Sequence, residues 1–161
     1  MIEPVDVTLN INARDYPLRL APRCTLVDAI RDQCGLTGTH IGCEHGVCGA
    51  CTVLLDGEPI RACLIFAVQA QGAAIRTVEG LATGDRLHPV QRALIAHHGV
   101  QCGFCTPGFL MLATGVLERE PDLSDDDLLE ILSSNLCRCT GYQNIVAAVR
   151  AAIAELRGGS D

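Results

Sequence analysis

The chain has 161 residues, a formal net charge of −7 and ten cysteines. Its 12 basic residues are scattered, which argues against nucleic acid as a partner, and no apolar stretch reaches the length of a membrane span. The N-terminus lacks the basic start and apolar run of a signal peptide. We therefore expect a cytoplasmic protein whose clustered cysteines bind metal rather than form disulfides.

The first half of the chain has the patterns of a small mixed sheet. Alternating apolar and polar residues predict a hairpin over 5–20, and Thr25 is placed to cap a short helix that ends at Gly35. A second hairpin is predicted over 52–63 and one more strand over 74–78. Together these elements predict a sheet packed on a helix, in the β-grasp arrangement of ferredoxins.

The second half changes to helical periodicity after Gly80–Asp85, a small and polar segment that predicts a linker. Four helices are predicted in order: one ending at Gly99, one capped by Thr106 and running through Leu117, one opening at Ser124 and one over 144–156. The fold class expected is α+β. An N-terminal β-grasp, plant-type ferredoxin-like domain at 1–79 precedes a C-terminal four-helix bundle at 80–161.

A cysteine-rich loop lies between the first predicted helix and the second hairpin. Cys43, Cys48 and Cys51 form a C-x4-C-x2-C run that Cys63 completes, and this is the plant-type ligand spacing for a [2Fe–2S] cluster. Interleaved glycines let the backbone wrap closely around such a group. A structural zinc site is the alternative, although zinc sites favour repeated C-x2-C pairs. A Rieske-like role for His45 would need a second histidine, so we interpret it as solvent-facing.

A second set of soft ligands follows in the helical half: Cys102, Cys105, Cys137 and Cys139. Each pair comes just before a predicted helix, whose N-terminus favours an anionic group. Zinc is again an alternative, and Cys102 with Cys105 alone also fits a thiol–disulfide motif. Arg138, between two ligands, could tune a cluster potential, anchor a partner or form a salt bridge within the chain. The hypothesis is two iron–sulfur clusters in one small protein.

Three segments, Gly42–Thr52, Gln101–Gly108 and Asn135–Tyr142, resemble the small iron–sulfur subunit of molybdenum hydroxylases. That family includes xanthine dehydrogenase, aldehyde oxidoreductase and aerobic carbon monoxide dehydrogenase. The resemblance covers nearly the whole chain and fills all eight ligand positions. It implies that the first four cysteines hold a cluster nearer a flavin and the second four a cluster nearer a molybdenum cofactor. It also implies that Gln101 and Cys139 lie close to the molybdopterin of a partner subunit.

The resemblance further implies an electron-transfer subunit of an oxidoreductase, with no catalytic residue of its own. It would relay electrons from a molybdenum cofactor in a large subunit to FAD in a medium subunit, within a heterotrimer or a dimer of heterotrimers. A free-standing ferredoxin-type carrier or sensor and a zinc-stabilised interaction module are the alternative functions. Cys24 and Cys34 remain outside both ligand sets and are expected to be ordinary buried or half-buried thiols.

Overall fold

The structure, a computed structural model, describes residues 3–158. Its first half contains a five-stranded sheet in the order β2-β1-β5-β3-β4. The strands are β1 Val5–Ile11, β2 Arg14–Leu20, β3 Thr52–Leu55, β4 Glu58–Arg61 and β5 Ala74–Arg76. Strands β1 and β5 pair in parallel and the other neighbours pair antiparallel. The mixed sheet predicted from the alternating patterns is therefore confirmed.

The first hairpin places its apolar residues on one face. Val7 lies opposite Leu18 and Leu9 opposite Tyr16, and since side chains alternate along a strand, these residues all face the same side. Leu9 is fully buried on that side. The alternation in the sequence therefore also sets which face of the sheet meets the core.

A short helix covers this face. Helix α1, Leu26–Asp28, continues as a wider π-helical turn over Ala29–Gln33. The Thr25 hydroxyl accepts a hydrogen bond of 3.2 Å from the backbone N–H of Asp28, which confirms the predicted cap. The turn ends at Gly35, where φ is +72°, as the sequence predicts.

Two strand limits differ from the prediction. Strand β4 ends at Arg61, so Cys63 lies just past the strand, in a turn closed by the bond from Leu64 N to Arg61 O. Strand β5 ends at Arg76 because the chain enters a 3-10 turn at Val78–Gly80. The first difference matters for the site, since a residue in a turn can point its side chain back toward the loop before β3.

Up to residue 158, where the described part of the chain ends, four longer helices follow: α2 Pro89–Ala96, α3 Thr106–Arg119, α4 Asp125–Ser133 and α5 Gln143–Gly158. Ser124 caps α4 as predicted, because its hydroxyl accepts from Asp127 N at 3.2 Å. The prediction that Thr106 caps α3 is wrong. The carbonyl of Cys105 already accepts from Phe109 N, so Cys105 is the cap and Thr106 is the first helical residue.

Residues 3–158 form two apolar cores. One lies between the sheet and α1, and the other is shared by α2–α5 and includes Leu54 from β3. Helix α3 packs directly on β3 and β4, so the helical half contacts the sheet along the strands that follow the cysteine loop. Within residues 3–158, no helix is both long enough and apolar enough to cross a bilayer.

Candidate metal centres

The first candidate centre is the loop before β3. The backbone N–H groups of Cys48, His45 and Val47 are directed at the sulfur of Cys43, with Cys48 N at 3.4 Å from Sγ. Slight burial raises the pKa of the Cys43 thiol, but these donors outweigh it and lower the pKa to about 6. A loop that stabilises a thiolate in this way is prepared to bind a soft metal.

Cys51 and Cys63 complete the first quartet. The two side chains lie within hydrogen-bonding reach of each other, and Cys48 is close enough to interact electrostatically with Cys51. Burial raises the pKa of the Cys51 thiol to about 12, with smaller upward contributions from Cys63 and Cys48. A metal would therefore have to displace a firmly held proton here, as metal binding to thiols generally does.

The second candidate centre is assembled from two distant segments. The sulfurs of Cys102 and Cys139 lie 3.4 Å apart, and Cys105 lies within hydrogen-bonding reach of Cys137. Burial and the neighbouring Cys137 raise the pKa of Cys105 to about 12. Partial burial also raises the pKa of Cys137, but hydrogen bonds with Thr140, with the backbone of Cys139 and with the Cys105 side chain together lower it below its ordinary value.

Both quartets consist of close sulfur pairs. The pairs are Cys43 with Cys48, Cys51 with Cys63, Cys102 with Cys139, and Cys105 with Cys137. In the described part of the chain, no three His, Cys, Asp or Glu side chains are grouped to share one metal ion. A zinc ion needs its ligands around one point, whereas a [2Fe–2S] cluster takes two protein thiolates on each of two irons. The four close pairs of thiols therefore fit the ligand requirement of two [2Fe–2S] clusters.

The second centre reaches the surface of this chain. Cys102 and Cys139 are both exposed, and Gln101 and Arg138 beside them are exposed as well. Arg138 forms no ion pair with any residue in the range 3–158. Among residues 3–158 the salt bridge considered for Arg138 is therefore not formed, and the Arg138 side chain lies at the exposed edge of the quartet.

The other polar or thiol side chains named from the sequence lie outside both quartets. His45 is exposed, with its Nδ1 atom 2.5 Å from the carbonyl oxygen of Cys43. Cys24 and Cys34 are half-buried at the two ends of the α1 region, and burial raises the pKa of both thiols. These thiols resemble ordinary half-buried cysteines, as expected.

The two centres meet at a backbone junction that sequence reasoning missed. Leu136 N donates a 2.9 Å hydrogen bond to the carbonyl oxygen of Cys48. Beside it, the side-chain amide of Asn135 donates to Gly49 O at 3.4 Å. Asn135 stands two residues before Cys137 in one of the recognised motifs, which is the signal that could have identified it.

A ring contact links the same two loops at a second point. His40 stacks on Phe104 with ring centroids 4.9 Å apart, and its Nδ1 lies 2.7 Å from the Phe104 carbonyl oxygen. Phe104 stands between Cys102 and Cys105, and His40 precedes Cys43 by three residues. The two cysteine loops therefore contact each other directly.

Two family profiles match the chain almost end to end. Residues 9–77 match the 2Fe-2S iron-sulfur cluster binding domain. Residues 77–150 match the [2Fe-2S] binding domain. Each profile contains one of the cysteine quartets described above.

Similar proteins are subunits of dehydrogenases and hydroxylases. The chain is 50% identical over 147 residues to caffeine dehydrogenase subunit gamma of Pseudomonas sp. (strain CBB1), covering 89% of this chain and 88% of that one. It is 52% identical over 145 residues to the nicotine 6-hydroxylase small subunit of Paenarthrobacter nicotinovorans, covering 90% and 87%. A chain of quinoline 2-oxidoreductase from Pseudomonas putida 86 superposes with a TM-score of 0.91 at 46% identity, over 99% of both chains. The chain therefore belongs to the family of small iron–sulfur subunits of molybdenum hydroxylases, in which two [2Fe–2S] clusters transfer electrons between the molybdenum–pterin cofactor and the FAD of partner subunits.

Proposed function

We propose that each cysteine quartet holds one of the two clusters of the relay. The proposed ligands are Cys43, Cys48, Cys51 and Cys63 for the N-terminal cluster, and Cys102, Cys105, Cys137 and Cys139 for the cluster of the helical half. The observation that carries this proposal is the convergence of eight thiols into two quartets of close pairs. A bound [2Fe–2S] cluster supplies one-electron redox chemistry. The residues of this chain hold, cover and space the two clusters, and none acts on substrate.

We propose that the chain divides into a ferredoxin-like domain at 1–79 and a cluster-binding domain at 80–161, whose four helices form a bundle. The two separate apolar cores support this division. The packing of α2 against α5 and of α3 against α4 supports the bundle. The direct contact between the two cysteine loops supports a relay in which the two domains act as one unit.

The exposed edge of the second centre is the proposed contact with the molybdenum-binding subunit. Cys102 and Cys139 are exposed and adjacent, so a cofactor of a partner subunit can approach their sulfurs without passing through protein. Gln101 lies beside them and would contact the pterin together with Cys139. Arg138, which has no acidic partner within 3–158, adds a positive charge that suits an anionic cofactor.

The loop of the first centre is the proposed contact with the FAD-binding subunit. Val47 and Leu64 stand beside this centre with 57% and 60% of their surface exposed. Exposed apolar side chains next to a redox centre suit a surface that a partner covers. We propose that the three subunits form a heterotrimer, or a dimer of heterotrimers, in the cytoplasm.

A nitrogen heterocycle is the proposed substrate class of the complex. The three relatives named above carry caffeine, nicotine and quinoline in their names, and all three compounds are nitrogen heterocycles. Since the large subunit binds the substrate, the test is the purified complex rather than this chain. We expect one of these compounds to reduce the complex, and reduction by simple aldehydes alone would contradict the proposal.

The proposed function is tested by what the chain carries and what accompanies it. The tagged chain is purified from its native host, and molybdenum, FAD, iron and acid-labile sulfide are measured on the same sample. We expect two larger chains, with molybdenum and flavin present. Iron and sulfide on an isolated monomer would instead indicate a free-standing carrier, and zinc on a colourless protein would indicate an interaction module.

The ligand assignment is tested by single alanine substitutions. Cys51→Ala and Cys105→Ala should each remove about half of the iron and sulfide, because each removes a buried or half-buried ligand of one cluster. Cys24→Ala and Cys34→Ala are matched controls, since these thiols are half-buried but lie outside the quartets. Loss of iron in the control variants, or full iron content in Cys51→Ala, would refute the assignment.

A further inference from the structure

We propose that Arg61 and Asn135 are positioning residues. They hold the two cysteine loops at a fixed separation, and this separation sets the magnetic coupling between the two proposed clusters. The proposal rests on the ligands proposed above. Within residues 3–158, neither side chain contacts the sulfur of a proposed ligand. Each side chain instead joins a segment beside one cysteine quartet to a segment beside the other quartet. The hydrogen bonds that Arg61 and Asn135 make are together called the inter-cluster clasp.

Arg61 forms the first half of the clasp. One end of its guanidinium contacts the Thr52 hydroxyl, and the other donates to the carbonyl and hydroxyl oxygens of Ser134 at 3.0 and 3.1 Å. Thr52 follows the ligand Cys51 directly, and Arg61 precedes the ligand Cys63 by two residues. A planar guanidinium that bonds in two directions holds its partners in a defined geometry. Arg61 thus ties the first quartet to the end of α4.

Asn135 forms the second half. It is 1% exposed, and its amide nitrogen donates to Gly49 O, which also accepts from the Thr52 hydroxyl at 2.6 Å. The same Gly49 carbonyl therefore joins both halves of the clasp. Next to Asn135, the backbone N–H of Leu136 bonds the carbonyl of Cys48. The clasp thus flanks the backbone hydrogen bond between Cys48 and Leu136.

Asn135 occupies the space that a side chain at position 49 would need. Gly49 has φ of +74°, and a Cβ built on it would lie only 1.9 Å from the Asn135 Oδ1 atom. That Oδ1 atom is buried and has no hydrogen-bond partner among residues 3–158. A buried unpaired oxygen opposes stability and is rarely kept without another role. We attribute its retention to the close fit of Asn135 against the cluster loop.

The test measures the magnetic interaction between the clusters of the full chain loaded with both. In the dithionite-reduced protein, the two paramagnetic clusters should split each other's electron paramagnetic resonance signals, and this splitting depends on their separation. We expect the splitting to narrow or to be lost in Asn135→Ala and Arg61→Met, with iron and sulfide content unchanged. Arg61→Lys should narrow it as well, because lysine keeps the charge but loses the two-directional geometry.

Two further variants make the result decisive. Arg119→Met removes the contact of Arg119 with Glu58. This contact, like the clasp, joins the helical half to the first half, but it does so through the end of α3 that lies away from Cys105. This variant should keep the wild-type splitting. Thr52→Val replaces Asn135→Ala or Arg61→Met if either of them fails to load clusters. It removes the hydroxyl that both halves of the clasp share, with little change in the shape of the side chain. We expect it to narrow the splitting.

The outcomes separate this inference from the proposed function. Unchanged splitting in the loaded clasp variants overturns the positioning role while leaving the ligand assignment intact. Wild-type splitting in Arg61→Lys, with narrowing in Arg61→Met, would mean that the charge rather than the geometry acts, and would also overturn it. A wild-type chain that carries fewer than two clusters refutes the ligand assignment, and the clasp falls with it.

Discussion

Helix α3 packs so closely against the loop before β3 that one methyl group added at Gly108 should disrupt the contact. A Cβ added at Gly108 would lie 2.3 Å from Gly49 O and 3.1 Å from Ala50 Cα. Real Cβ atoms keep at least 3.0 Å from such neighbours, so the helix or the loop must move by roughly 0.7 Å. Because both neighbouring atoms belong to the backbone, no change of side-chain rotamer can relieve the overlap.

Two effects of Gly108→Ala oppose each other. Alanine favours a helix over glycine by about 1 kcal/mol, which would raise the free energy of unfolding. Overpacking costs about 1–3 kcal/mol, and the rigid backbone on both sides of this contact places the cost at the upper end. We therefore expect a net loss of about 2 kcal/mol, which for a chain of this length lowers Tm by about 4–8 °C.

The assay is thermal unfolding of the cluster-loaded chain, followed by circular dichroism without oxygen at one scan rate and one protein concentration. Gly158→Ala is the matched control, since a Cβ at this position meets no atom of residues 3–158 within 4 Å, and its Tm should stay close to that of the wild type. A Tm for Gly108→Ala equal to or above the wild-type value would show that helix propensity outweighs the contact, and the reasoning would be wrong.

Three other predictions address a helix cap, a pH dependence and the direction of electron flow. Ser124→Ala removes the cap of α4 and should lower the free energy of unfolding by about 1 kcal/mol in a urea titration. Burial lowers the pKa of His88 below its ordinary 6.5, and its neutral ring accepts from Val90 N. Stability should therefore be retained above pH 6.5 and fall as the pH drops below it, since the unfolded chain takes up the proton more readily. In the assembled complex, Cys139→Ala should slow electron exit from molybdenum more than Cys43→Ala does, as measured by stopped-flow reduction of the remaining cluster.

Each of these predictions has a control. Ser124→Asp keeps a capping oxygen and should retain stability, so an equal loss in both variants would point to another cause. His88→Asn keeps a cap at α2 but cannot take up a proton in this range, and it should flatten the pH dependence; an unchanged dependence would exclude His88. Equal slowing in Cys139→Ala and Cys43→Ala would contradict the order of the two clusters in the relay.

Local features of the fold follow well from the sequence because the interactions that cause them are local. The Thr25 and Ser124 caps are bonds to backbone three residues away, and the first hairpin is set by alternation within one segment. The sequence favours Thr106 over Cys105 as the cap of α3, because threonine is a preferred N-cap residue and cysteine is not. Only the hydrogen bond from Phe109 N to the Cys105 carbonyl decides between them.

The contacts between the two centres could not be predicted in the same way. The cysteine spacing indicates which thiols belong together, but the clasp joins Arg61 to Ser134 and Gly49 to Asn135 across distant parts of the sequence. No periodicity or spacing relates such residues, and each would be unremarkable in a surface loop. Their role is visible only after the helical half packs on the sheet.

The contact of Gly108 and Asn135 with one peptide of the first loop limits how the two halves of this chain can be exchanged. Each half matches its own family profile, which suggests that halves from different relatives could be recombined freely. A hybrid would nevertheless need glycine at the position of Gly108 and asparagine at that of Asn135 from one parent, and glycine at that of Gly49 from the other. The two halves are therefore expected to be exchangeable only between parents that supply these three residues, because a hybrid that lacks one of them loses the fit between its halves.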